Sequence, residues 1–199
     1  MDRAFIMSIF RKIIFIAMLA GGLLPSLACH AADKLIILVR HAEKREPDSA
    51  DTRLSEAQIE ALRRDPPLST AGYARAQALP GALAQFPLSR LIATQYLRTR
   101  ETLAPIAAER QLGVEIIAAN APIAEHIAQL VQAAKAAEGN VLIAGHSNTL
   151  PLLVQALGGP KIAPIAETDY GQLFILTLGE DERVTLMSGH YGAQANDTN

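Results

Sequence analysis

Short apolar runs alternate with longer segments of helical periodicity along this chain. Brief, uninterrupted runs of Val, Ile and Leu are typical of strands that are buried on both faces of a parallel sheet. They predict strands over residues 34–39, 91–94, 114–118 and 141–144, and a final hairpin of residues 173–178 and 184–187 across the loop 179–183. The intervening segments predict helices over residues 54–65, 69–84, 98–110, 122–137 and 148–157, with a break expected at Pro80.

This alternation of strands and helices predicts an α/β fold. The expected architecture is a three-layer sandwich with a mostly parallel central sheet and helices on both faces. Neither a repeat nor a linker divides residues 32–199, which are predicted to form a single domain. Residues 45–52 are polar and predict a loop, and the polar residues 192–199 predict a disordered tail.

Residues 1–31 have the layout of a secretory signal peptide. Basic residues precede an apolar stretch at 13–24, Pro25 ends that stretch, and Ala31 offers a small residue for cleavage. An apolar core of this length is too short for a comfortable membrane span. We therefore expect a periplasmic or secreted protein with no membrane contact after cleavage, and a retained N-terminal anchor is the alternative.

Composition narrows the possible partners. The formal net charge is −2 at pH 7, which gives no reason to expect nucleic acid as a partner. The single cysteine, Cys29, falls within the predicted leader, so no disulfide is expected although an exported location would permit one. The oligomeric state is not predicted by any feature of the sequence.

Two of the predicted strands each end on a histidine. Arg40-His41 follows the first strand, and Gly145-His146 follows the fourth. In open α/β sheets, ligands bind beyond the carboxyl ends of the strands. An imidazole with a free nitrogen can attack phosphorus and form a phosphohistidine, and an adjacent guanidinium can hold phosphoryl oxygens in a fixed fork. Either histidine taken alone is more often structural, so the prediction rests on the combination.

Arg98 begins the helix after the second strand, where the helix N-terminus already favours anions. The alternative for this residue is a solvated arginine paired with Glu101. His41, His146 and a carboxylate could instead bind zinc. The flanking arginines would repel that cation, so no metal and no cofactor is predicted. His126 and His190 stand outside any motif, which favours structural or surface roles for both.

Four segments, in order, resemble the motifs of the histidine phosphatase superfamily, which contains cofactor-dependent phosphoglycerate mutases and small phosphohistidine phosphatases. The segments are 38–44 with Arg40-His41, 68–78 with its Leu-Ser/Thr-x-x-Gly pattern, Arg98-Thr99 with Thr102, and 141–149 with His146. The second segment departs from the family pattern by one extra residue before Gln77-Ala78. The resemblance implies a phosphoglycerate mutase-like fold.

The resemblance also implies roles for these residues. His41 would be the nucleophile that becomes phosphorylated. Arg40, Arg98 and His146 would bind the transferring phosphoryl group without a metal, and water would then hydrolyse the phosphohistidine. Another branch of the family carries an aspartate directly after its second histidine, and Ser147 at that position disfavours the branch.

In the mutase-like branch, a glutamate well downstream of the second arginine protonates the leaving group. Glu125 is the candidate for that acid, and Glu43 and Glu115 are weaker alternatives. Glu125 could instead be a carboxylate that simply favours the start of a helix.

The sequence thus predicts an exported, metal-independent phosphatase that hydrolyses phosphate esters of a small substrate through a phosphohistidine on His41. A mutase is disfavoured because the segment between Arg98 and His146 is short. Two alternatives stay open: a catalytically silent protein that binds a phosphorylated ligand, and a phosphohistidine or pyrophosphate hydrolase. The substrate itself depends on the loop 45–52 and the pocket rim, where no motif predicts it.

Overall fold

The computed structural model describes residues 33–46, 54–120, 122–179, 181 and 183–193. The predicted leader at 1–31, most of the predicted loop at 45–52 and most of the predicted tail at 192–199 lie outside these ranges. Within the described ranges, no helix has both the length and the apolar character needed to cross a membrane.

Strands and helices alternate along the described chain as the hydrophobic pattern predicted. The strands are β1 (Lys34–Arg40), β2 (Leu88–Ala93), β3 (Val114–Ile116), β4 (Asn140–Gly145), β5 (Gln172–Leu178) and β6 (Val184–His190). The helices are α1 (Glu56–Arg64), α2 (Thr70–Ala82), α3 (Leu97–Arg110), α4 (Ile123–Ala136) and α5 (Leu150–Ala156).

The strands form one sheet in the order β3-β2-β4-β1-β5-β6. Neighbours among β1 to β4 are parallel, whereas β5 is antiparallel to β1 and β6 is antiparallel to β5. The mostly parallel sheet is confirmed, and the predicted terminal hairpin supplies its two antiparallel strands.

The core lies on both faces of the sheet. Successive strand residues point to opposite faces, and in β1 Ile36 and Leu38 alternate with Ile37 and Val39. The first pair packs with residues of α4 and α5, and the second pair packs with residues of α2 and α3. Because each residue of the pairs is fully buried, the strand is covered on both sides, and the predicted three-layer architecture is confirmed.

The predicted break at Pro80 is wrong, because α2 continues through this residue to Ala82. Proline removes one backbone hydrogen bond and crowds the preceding turn, which costs about 3 kcal/mol in a helix interior. Here Pro80 stands in the last turn, so little helix follows it. Pro80 and Leu79 are both buried, and this packing favours continuation of the helix.

Candidate active site

The register of the sheet brings the two strand-end histidines together. β1 and β4 are parallel neighbours in which Arg40 pairs with Gly145. The next residue of each strand therefore leaves the same edge of the sheet, and the His41 amide donates to the Gly145 carbonyl at 3.0 Å. The ring centroids of His41 and His146 lie 5.4 Å apart.

Helices α2 and α3 are fastened against the segment that follows β1. The buried Thr102 hydroxyl accepts a hydrogen bond from the Ala42 amide at 2.9 Å. At Gly72, an added Cβ would lie 2.1 Å from the carbonyl oxygen of Glu43. The close approach of backbone to backbone explains why this motif position holds a glycine.

His41 is held in the tautomer that a nucleophile needs. Its Nδ1 lies 2.8 Å from the carbonyl oxygen of Ala42. A carbonyl can only accept, so Nδ1 carries the hydrogen and Nε2 keeps its lone pair. Burial, supported by the charges of Arg98 and Arg40, lowers the pKa of His41 to about 3, although the Ala42 hydrogen bond opposes this shift. At neutral pH the imidazole is therefore neutral and Nε2 is free to attack.

A relay of two buried threonines holds the ring of His146. Its Nε2 lies 3.1 Å from the Thr94 hydroxyl, which lies 2.8 Å from the Thr99 hydroxyl. The Thr99 hydroxyl lies 2.9 Å from the carbonyl of Tyr96, to which it can only donate. Each hydroxyl has one hydrogen, so the relay runs from His146 Nε2–H through Thr94 and Thr99 to that carbonyl. Nδ1 of His146 is left as the nitrogen that can meet a ligand.

Arg98 offers an uncommitted guanidinium at the start of α3. It stacks over the Tyr96 ring with 4.3 Å between the guanidinium carbon and the ring centroid. Asp65 lies 3.9 Å from its Nη1 and also accepts the Leu97 amide at 2.9 Å, which positions the helix start. Within the described ranges, no side chain accepts a hydrogen bond from the Arg98 guanidinium. Its planar fork of N–H donors can therefore bind an anion.

Arg40 is fully buried and is largely engaged by the segment before β5. Its guanidinium donates to the carbonyls of Ala166, Glu167 and Asp169 at 2.6, 2.9 and 3.0 Å, and it pairs with the Glu167 carboxylate at 3.0 Å. It also lies 4.3 Å from the centroid of the Tyr170 ring. Only Nε lacks a partner among the described residues. A phosphate-binding role for Arg40 stays a prediction, because its guanidinium does not line the cavity.

A cavity of about 680 Å³ opens beside the two strand-end histidines. Its lining combines cations with histidines, namely Lys44, Arg63, Arg64, Arg98, His41, His126 and His146. Within the described lining, Glu167 supplies the one carboxylate. The Ser147 hydroxyl donates to that carboxylate and lowers its pKa, with Arg40 adding to the shift. The cavity is thus electropositive and suits an anionic substrate.

The structure does not bring Glu125 to this cavity. Glu125 is exposed on the first turn of α4, and its neighbour His126 faces the cavity instead. Of the two weaker alternatives, Glu43 is bound to Arg75 at 2.6 Å, and Glu115 is bound to Arg90 at 2.6 Å. A role for Glu125 as the acid therefore stays a prediction that this geometry does not support.

Sequence reasoning missed three residues of the site. Thr94 and Glu167 had no pattern around them that marks a site. His126 had a detectable signal, because it shares helical spacing with the buried Leu130 and Ala134.

Among the described residues, no group of three or more His, Cys, Asp or Glu side chains is placed to hold a metal ion.

The model of the histidine phosphatase superfamily (branch 1) matches residues 36–120. This match includes Arg40, His41 and Arg98 and ends before His146. A comparison with curated proteins gave no significant match.

Several solved structures share the fold. A candidate alpha-ribazole-5'-P phosphatase of Escherichia coli K-12 is 18% identical, with a TM-score of 0.57, and the match covers 79% of this chain and 96% of that one. A candidate phosphohistidine phosphatase SixA of Agrobacterium tumefaciens is 18% identical, with a TM-score of 0.56 and coverage of 81% and 99%. A mycobacterial glucosyl-3-phosphoglycerate phosphatase in complex with VO3 is 14% identical, with a TM-score of 0.54 and coverage of 81% and 100%.

Identities this low establish a common fold and nothing finer. The family-model match adds the sequence of the first histidine segment and of the Arg98 segment. The structure places His41 and His146 side by side at the carboxyl edge of that common fold. By sequence over residues 36–120, and by a fold shared with solved phosphatase structures, the chain resembles the histidine phosphatase superfamily.

Proposed function

We propose that this protein is an exported, metal-independent phosphatase that hydrolyses small phosphate monoesters through a phosphohistidine on His41. The observation that carries the proposal is the His41 ring, whose Nδ1 is held by the Ala42 carbonyl so that Nε2 faces a cavity lined by cations. General phosphatase activity agrees with the superfamily, and export rests on the predicted leader alone.

The first step transfers the phosphoryl group. Nε2 of His41 forms a bond to phosphorus while the bond from phosphorus to the ester oxygen breaks. Arg98 offsets charge on the equatorial oxygens, which is most of what phosphoryl transfer requires of a protein. Burial, chiefly, and the nearby Arg98 lower the pKa of His146 to about 3 in the empty cavity. A bound dianion opposes that shift, and a protonated His146 then donates from Nδ1 to a phosphoryl oxygen.

The second step is hydrolysis. A water oxygen attacks the phosphorus, the P–N bond breaks, and inorganic phosphate leaves with His41 restored. The electropositive lining favours both the incoming dianion and the phosphate product, and the same residues serve each step. Related proteins are named for alpha-ribazole-5'-P, phosphohistidine and glucosyl-3-phosphoglycerate, which are all phosphoryl donors.

A phosphohistidine or pyrophosphate hydrolase is the second candidate. Its leaving groups need little help from an acid. Glu167 would be a poor acid, because its carboxylate is ion-paired to Arg40 and has a lowered pKa. A silent protein that only binds a phosphorylated ligand is the candidate from a different class. It would not require the His41 ring to be held with Nε2 free.

The test uses the purified full chain with p-nitrophenyl phosphate and excess EDTA. We expect turnover that resists EDTA and is lost in His41→Ala. The exposed His190 provides a matched histidine control, since His190→Ala should leave turnover unchanged. Rapid quenching should trap a phosphoenzyme that is stable in alkali and labile in acid.

Three outcomes contradict the proposal. Turnover that is lost with EDTA would indicate a metal site. Turnover that survives in His41→Ala would exclude the phosphohistidine. Binding of inorganic phosphate without turnover of any ester would favour the silent binding protein.

A further inference from the structure

His126 is a buried histidine that the steps above do not use. It lies on the first turn of α4, is 2% exposed, and lines the same cavity as His41 and His146. Neither of its ring nitrogens makes a hydrogen bond of normal geometry with any residue that the structure describes. Leaving a buried polar group unpaired costs about 1–3 kcal/mol. The unpaired ring nitrogens of His126 therefore point to a partner that enters the cavity.

The surroundings of His126 set its protonation. Burial lowers its pKa, while the nearby Ala118 carbonyl favours the protonated form. Its charge would in turn lower the pKa of His146, so the two rings sense each other. The other charged groups of the cavity are Lys44, Arg63, Arg64, Arg98 and Glu167. Burial disfavours a charged His126, and a phosphate dianion bound among these cations favours it.

We propose that His126 protonates the leaving oxygen of a phosphate ester of an alcohol, and this inference rests on the proposed phosphatase function. The P–O bond breaks as Nε2 of His41 forms its bond to phosphorus. The departing oxygen takes a proton from the His126 imidazolium and leaves as a neutral alcohol. In hydrolysis, the neutral His126 accepts a proton from the attacking water and regains its starting state.

The position of His126 supports this role over that of its neighbour. Residues that are adjacent on a helix point about 100° apart, and here Glu125 is exposed to solvent whereas His126 is buried. The inward residue is His126. An acid at this place directs the enzyme to alkyl phosphates, whose alkoxides leave poorly without a proton. It is not needed for phosphohistidine, pyrophosphate or nitrophenyl phosphate.

The test compares leaving groups in the full chain. For His126→Asn and His126→Gln, we expect kcat/KM for an alkyl phosphate to fall about 100-fold or more. The value for p-nitrophenyl phosphate should stay within a few-fold, because nitrophenolate leaves unaided. kcat/KM is the right quantity, since it reports the steps up to phosphorylation of His41. Added imidazole should restore part of the alkyl phosphate turnover to His126→Gly.

The rival assignment is tested by Glu125→Gln. A selective loss on the alkyl phosphate in this variant, and not in the His126 variants, would assign the acid to Glu125 and overturn the inference. An equal loss on both substrates in the His126 variants, without rescue by imidazole, would also overturn it and indicate a structural histidine. His190→Ala should change neither substrate.

A measurement on the unaltered protein covers the case in which the His126 variants do not fold. Across aryl and alkyl phosphates, protonation of the leaving group makes kcat/KM depend only weakly on the pKa of the leaving alcohol. A steep dependence in the unaltered chain would overturn the inference. If the proposed phosphatase function is wrong, no substrate will depend on His41. Loss of turnover of every substrate in His41→Ala therefore shows that the proposed function holds, and a negative result for His126 then concerns His126 alone.

Discussion

The threonine relay behind His146 gives a prediction whose size reports the charge of that histidine. Thr94→Val keeps the volume of the side chain and removes the hydroxyl that lies 3.1 Å from Nε2 of His146. The change also removes the hydrogen bond between Thr94 and Thr99, but Thr99 still donates to a backbone carbonyl, so the only bond lost at His146 is the one at Nε2. Thr94→Ser keeps the hydroxyl and is the matched control.

The expected loss depends on the state of His146 during the reaction. A hydrogen bond to a charged group contributes about 1.5–3 kcal/mol, and one between neutral groups about 0.5–1.5 kcal/mol. Only the difference between the free enzyme, where His146 is neutral, and the transition state alters kcat/KM. With about 1.4 kcal/mol per tenfold, kcat/KM for an aryl phosphate should fall roughly 5- to 12-fold if His146 is protonated in the transition state, and by less than about twofold if it stays neutral. We expect the larger loss.

Inhibition by vanadate provides the second readout, because vanadate mimics the geometry of the transferring phosphoryl group. Thr94→Val should weaken vanadate by nearly the same factor as kcat/KM, and Thr94→Ser should change both by less than about threefold. Thermal denaturation checks that each variant is folded at the assay temperature. Activity of Thr94→Val within twofold of the unaltered protein would refute protonation of His146 in the transition state.

Three further predictions concern packing, protonation and anion binding. Gly72→Ala should destabilise the fold by about 1–3 kcal/mol or more, since its Cβ would meet a backbone oxygen at 2.1 Å. In the same helix, the Cβ of Gly81→Ala would meet nothing within 4 Å, so this control should stabilise the fold by up to about 1 kcal/mol. Denaturant unfolding measures both changes. Burial lowers the pKa of His146 from 6.5 to about 3. The unfolded chain therefore binds more protons between these values, and the free energy of unfolding should decrease as pH falls through that window, less steeply in His146→Asn. Arg98→Lys loses the planar fork, so vanadate inhibition should weaken by about tenfold, and an unchanged value would remove Arg98 from the phosphate site.

The sequence predicted the convergence of His41 and His146 for a general reason. Parallel strands end at a common edge, so residues that follow two buried strands become neighbours once the strands pair. The pairing of Arg40 with Gly145 gives the final placement. Buried parallel strands leave a strong hydrophobic signal, and for that reason the order of strands and helices was predictable.

Other parts of the site were not predictable because they depend on single-residue orientation or on irregular backbone. On α4, the orientation of the helix about its axis decides whether Glu125 or the adjacent His126 faces the cavity. The carbonyls of Ala166 and Glu167 that bind Arg40 belong to a segment with no hydrophobic period. Backbone carbonyls leave no trace in the residue types, so the engagement of Arg40 could not be read from its position beside His41.

Because Arg40 is bound by the segment before β5, Arg40 and Arg98 act on the site in different ways. Arg40 keeps four of its donors on the segment before β5, and its charge still helps to lower the pKa of His41. Arg98 lines the cavity and makes no side-chain hydrogen bond within the described residues, so it is the arginine that we propose binds the anion. Burial chiefly, and both arginines, disfavour protonation of His41 and His146, so in the proposed mechanism the nucleophile is neutral before the substrate arrives. A phosphate dianion reverses this balance where it binds, which allows His146 to take up a proton while His41 is already committed to attack.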